Sequence, residues 1–164
     1  MSYKHVRELV GVQDEYQAVR QSMNLVRATW NRVAVDMEPV TLTDLTDAMA
    51  HLEATYIVRL TANYEAILRD VLKQARTRRI DDKAGGADLT SHLSGWLQDQ
   101  VRASAGSRQG IDRRRIAEIK DRARQVVRLL AYRNKLAHRK PPPEELFTFQ
   151  SALTCLNRML DLVP

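Results

Sequence analysis

One cysteine, Cys155, occurs in 164 residues. An intramolecular disulfide and a zinc site built from several thiolates are therefore excluded. Its setting, LTCLNRML, is the apolar face of a helix, where a lone cysteine serves as a small hydrophobe. Aromatic residues make up only 5%, and six glycines and five prolines, three of the latter in one run, leave few tight turns. A many-stranded sandwich or barrel needs more of them. No apolar run approaches a membrane span, and the opening MSYKHVRELVG lacks the continuous apolar core of a signal peptide. The expected setting is the reducing cytoplasm, with no membrane partner.

Chemical signatures are also missing. The glycine pair at Gly85–Gly86 is not followed by the Lys-Ser/Thr of a phosphate loop, and neither a His-Glu-x-x-His helix nor an acidic calcium loop occurs. His5, His51, His92 and His138 share no metal-ligand spacing. Neither a metal site nor a cofactor is expected, and His51 and His92 read as surface or rim residues.

What is present is 44% apolar side chains, mostly aliphatic, among abundant Ala, Leu, Arg, Gln and Glu. This is the composition of an all-helical domain. The length suits a single domain over residues 1–164. The net charge of +6 and a pI near 9.8 point to a polyanionic partner, nucleic acid foremost, although a basic surface is also common without one.

Apolar periodicity divides the chain into five helices. The first is expected from Lys4 to about Met37, with Leu9, Val12, Tyr16, Val19, Met23, Val26, Trp30 and Val33 in a strict three–four alternation. That seam fits either a helix lying along a bundle core or a coiled-coil contact between chains. The second, from Leu42 to about Arg78, opens on a cap formed by Thr41 and Asp44. Asp88 is expected to cap a shorter third helix carrying Leu89, Leu93, Leu97 and Val101. The fourth runs from Asp112 to His138. The fifth is expected to start at Pro143 with Glu144 and Glu145 in its first turn, and carries Leu146, Phe149, Leu153, Leu156 and Leu160. Short links between long helices give an up-and-down bundle of four to five helices.

The fourth helix holds an anomaly. Its apolar positions, Ile116, Ile119, Ala123, Val126 and Leu130, put the next slot at Arg133, and arginine is rarely buried unless paired. Five residues later comes His138, at a helix end where unsatisfied carbonyls favour a cation. At about 100° per residue, Asn134 and His138 share a face, whereas Arg133 and His138 differ by about 140°. Arginine with histidine and no metal suits attack of a ribose 2′-hydroxyl on its neighbouring phosphodiester. Histidine moves the protons and arginine stabilises the phosphate charge. A twofold-related copy would supply both acid and base. The purely structural reading is that Arg133 pairs with an acid of the second helix, Glu65 being the natural one, and His138 only ends its helix.

The stretch RNKLAH, Arg133 to His138, resembles the R-x(4–6)-H signature of the HEPN superfamily, including the polar residue after the arginine. It stands at the end of a penultimate long helix, before a turn and a last apolar helix, so the resemblance spans nearly the whole chain. It implies a helical bundle that dimerises so that two motifs line one cleft. It further implies a metal-independent endoribonuclease, a toxin or antiviral-defence effector, that leaves a 2′,3′-cyclic phosphate. Arg133 would bind the phosphate, Asn134 orient groups in the cleft and His138 transfer protons, with Lys135, Arg139 and Lys140 on the RNA backbone. An antitoxin protein is a further implied partner. Some family toxins carry a tyrosine two residues after the histidine, which a partner nucleotidyltransferase modifies; Lys140 stands there instead. Other members lack catalysis and act as RNA- or protein-binding adaptors. If the cleft binds RNA, one of the clusters RTRR (Arg76–Arg79) or RRR (Arg113–Arg115) is expected to border it.

Overall fold

The computed structural model describes residues 3–33, 41–75, 84–105, 112–138 and 147–163. They form helices α1 (Tyr3–Ala28), α2 (Trp30–Val33), α3 (Leu42–Gln74), α4 (Gly86–Ala105), α5 (Arg113–Ala137) and α6 (Phe149–Leu160). No strand occurs among the described residues. The protein is an all-α bundle of five long helices, with α2 a single turn.

α3 is the central element and touches α1, α4, α5 and α6. Tyr56, Ile57, Leu60, Tyr64, Ile67 and Leu68 are buried on it, a wider face than one stripe, because partners cover it on several sides. The capping box at its start is present: Thr41 accepts from the N–H of Asp44, whose carboxylate accepts from that of Thr41. Such reciprocal caps satisfy two orphan N–H groups and fix where the helix begins.

Three other boundaries differ from the sequence reading. The first helix breaks at Thr29, whose hydroxyl donates to the carbonyls of Leu25 and Val26, while the N–H of Arg32 returns to Thr29 O in a tighter turn. A threonine that competes for helical carbonyls in this way weakens the ladder. The expected stretch from 34 to Met37 lies outside the described residues. α4 begins at Gly86, with its first helical bond accepted by Gly85 O, so Asp88 sits in the first turn rather than at the cap. α6 begins at Phe149 on a Thr148–Ser151 capping box. The expected start at Pro143, Glu144 and Glu145 lies outside the described residues, as does the expected end of the second helix at Arg76–Arg78.

The seam of α1 packs within the chain. Leu9, Val12 and Tyr16 are buried, and Val19, Met23 and Val26 are half-buried. Tyr16 stacks on Phe149 at 4.0 Å and meets Tyr56 edge-on at 5.4 Å, joining α1, α3 and α6. Glu53 of α3 accepts from the Phe149 N–H at 2.8 Å, a carboxylate at the positive end of α6. Tyr132 packs against Phe147 at 5.6 Å, so the chain that leaves α5 at His138 is pinned again nine residues later. Cys155 is buried on α6, and burial pushes its thiol up to about 11, which leaves no reactive thiolate at neutral pH. No helix among the described residues is long and apolar enough to cross a membrane.

Candidate active site at the end of the fifth helix

Asp112 caps α5 by accepting from the N–H of Arg115, and His138 ends it, its own N–H donating to the carbonyls of Asn134 and Leu136. Ile119, Val126, Leu129 and Leu130 bury the inward face. That face meets Arg133 next, as the phase requires.

Arg133 is anchored. Its Nη2 forms an ion pair with Oε1 of Glu65 on α3, and the two side chains are 21% and 17% exposed. Nε of Arg133 is buried without a partner among the described residues. Burial lowers the guanidinium pKa from its ordinary value, but an arginine keeps its proton in a protein. One carboxylate oxygen engages one arm, and the guanidinium has five donors. Donor capacity is left over.

Glu65 is itself confined by α4. A Cβ built on Gly86 would stand 2.5 Å from Oε1 of Glu65 and 2.9 Å from its Cγ and Cδ. One turn further along α3, Arg69 donates to Ala84 O at 2.6 Å. Glu65 and Arg69 thus hold the entry to α4, and the Glu65 carboxylate lies at the positive end of that helix. The role of Gly86 was not foreseen from sequence; the glycine pair before α4 was its only signal. Gly→Ala in a helix ordinarily stabilises by about 0.5–1 kcal/mol. Here Gly86→Ala is expected to destabilise by about 1–3 kcal/mol, the usual cost of overpacking, as measured by urea unfolding.

Asn134 and His138 are exposed, Lys135 is half-exposed, and all three lie on the outward side of α5. No hydrogen bond or ion pair joins Arg133 to His138 among the described residues. Within one chain Arg133 reaches toward α3 and His138 toward solvent, the divergence expected of positions five apart. Arg139 and Lys140 lie outside the described residues, as does the cluster Arg76–Arg79. Arg113–Arg115 stands at the opposite end of α5 from His138, about 37 Å away at 1.5 Å per residue, and does not border the motif. His51 and His92 are exposed, and Nδ1 of His51 meets the carbonyl of Asp47 one turn earlier at 2.8 Å. No group of ligating side chains fit for a metal occurs among the described residues.

No family model, curated protein or solved structure matches the chain.

Proposed function

We propose that the protein is a metal-independent endoribonuclease of HEPN type, a cytoplasmic toxin or defence effector. In this reading it cuts RNA by attack of a 2′-hydroxyl on the adjacent phosphodiester. The observation that carries it is an arginine fixed by a carboxylate from another helix, five residues before an exposed histidine that ends the same helix. Glu65 holds the guanidinium in one orientation, so little ordering remains when a phosphate arrives. Charge-assisted hydrogen bonds from arginine suit a phosphate whose negative charge grows in the transition state. His138, open to solvent, is placed to exchange protons with the 2′-hydroxyl or the leaving 5′-oxygen. Asn134, on the same face, orients the groups between them.

Because Arg133 and His138 diverge within one chain, the working cleft is composite in this proposal. Two copies related by a twofold axis face their motifs together, and the second histidine completes the acid–base pair. Light scattering at micromolar concentration is expected to give twice the chain mass. Purified protein mixed with total RNA is expected to cleave it equally with and without a chelator, while DNA of the same sequence stays intact. A monomer that leaves RNA untouched would refute the reading. An antitoxin that occludes the cleft is the matching regulator, since Lys140 stands where a modifiable tyrosine would be needed for the other route.

One observation favours a second reading, a non-catalytic adaptor that binds RNA or a protein. The Glu65 pair alone accounts for Arg133 as a structural cross-link between α3 and α5. In that case RNA or protein binding survives without any cleavage.

A further inference from the structure

The outward face of α5 carries more than the motif. Arg113, Lys120, Arg124, Arg128, Lys135 and His138 follow one another at steps of seven, four, four, seven and three. At about 100° per residue they fall within an arc of about 80°. Five of them are exposed and Lys135 is half-exposed. The two acids of α5 lie outside that arc: Glu118 pairs with Arg115 and Arg122, and Asp121 accepts from Gln125. No ion pair among the described residues engages Arg113, Lys120, Arg124 or Lys135. These four cations, spread along one face of the helix, repel one another in isolation and call for an anionic partner.

The same line borders a groove. Between α4 and α5 lies a depression of about 530 Å³, with Arg124, Val127 and Arg128 on one wall and Ser91 and Gln98 on the other. Gly95 lies between, where a Cβ would meet nothing within 4 Å. Hydroxyl and amide groups opposite arginines match a sugar–phosphate chain: the cations take phosphate, and the neutral groups suit ribose 2′-hydroxyls. Val127, 38% exposed, offers an apolar spot between them.

We propose that this face of α5 is a track for single-stranded RNA that passes the α4–α5 groove and leads to His138. The occupant is one strand because the cations form one line, whereas a duplex presents two backbones. The stripe carries no aromatic side chain, so the track reads phosphate and ribose rather than base sequence. The proposal rests on the ribonuclease reading only for what happens at His138; the binding itself is a separate claim.

The test is fluorescence anisotropy with a labelled oligouridylate, with His138→Ala in every protein to prevent cleavage. Four phosphate contacts, by Arg113, Lys120, Arg124 and Lys135, predict a log–log salt slope of about −2.8. Lys120→Glu with Arg124→Glu should weaken binding at least tenfold and make the slope shallower by about 1.4. Arg20→Glu with Arg27→Glu on α1 makes the same charge change elsewhere and should leave affinity within about twofold, since screening confines charge effects to about 10 Å. Circular dichroism of the exposed-site variants should be unchanged. Equal weakening by the α1 pair would overturn the track, and so would polyglutamate competing as well as RNA, the mark of an acidic protein partner. Cleavage assays with His138 intact separate the two claims. Tight, track-dependent binding by a wild type that cuts nothing rejects the ribonuclease reading and upholds the track. Cleavage with KM unchanged in the Lys120/Arg124 variant rejects the track and leaves the ribonuclease reading standing.

Discussion

His138→Ala is expected to abolish RNA cleavage, by at least about a hundredfold, the lower range for removing a general acid or base. The fold should not notice. The residue is exposed at the C-cap of α5, and its cap contacts are made by its backbone N–H to the carbonyls of Asn134 and Leu136, which alanine retains. Helical content by circular dichroism and mass by light scattering should match wild type. If wild type and His138→Ala cleave every RNA at the same rate, the histidine has no part in proton transfer and the adaptor reading takes over.

The second large effect is on stability. Arg133 and Glu65 are 21% and 17% exposed, so removing either leaves a mostly buried charge without its partner. Breaking a fully buried pair costs about 3–5 kcal/mol, and this partly wetted one is expected to cost about 2–3 kcal/mol. At about 2–4 °C per kcal/mol for a chain of this size, Arg133→Ala and Glu65→Ala should each lower Tm by roughly 5–10 °C. Replacing both partners with apolar residues, Arg133→Met with Glu65→Leu, should recover most of the loss, because no orphan charge remains. That double variant separates the two duties of Arg133. It is expected to melt near wild type and still cleave nothing. Single variants that melt within about 1 °C of wild type would mean that the pair holds nothing together.

These expectations depend on features that differ in how far the sequence discloses them. The bounds of α5 were readable because its ends are local: an aspartate before the first turn, a proline run after the last. Arg133 was readable as an anomaly because a charge on an apolar phase asks for a carboxylate, and the periodicity of α3 offers Glu65. Thr29 was not, since Thr61 bonds back to the two carbonyls behind it in the same way and α3 runs on unbroken, so the residue type alone marks no boundary. The start of α6 was obscured by Pro143, Glu144 and Glu145, which make a good first turn on paper. The capping box at Thr148 and the Glu53 carboxylate on the Phe149 N–H set it later. Gly86 illustrates a further kind of loss. Its lack of a side chain has meaning only because Glu65, twenty-one residues earlier, fills the space above it. Local rules see a turn residue there, and only packing reveals the clearance.

The divergence of Arg133 and His138 was legible as well, from an angle of about 140° on a straight helix. α5 is unbroken from Arg113 to Ala137 with His138 as its cap, so no fraying brings the two together. The chemistry proposed for this site therefore needs a second copy.

The measurement that reaches the central claim most directly is the chemistry of the cut end. RNA incubated with purified protein in the presence of excess chelator should yield fragments with a 2′,3′-cyclic phosphate and a free 5′-hydroxyl, detectable by mass and by resistance to phosphatase until acid opens the ring. Fragments ending in a 3′-hydroxyl with a 5′-phosphate, or cleavage that stops when metal is removed, would contradict it.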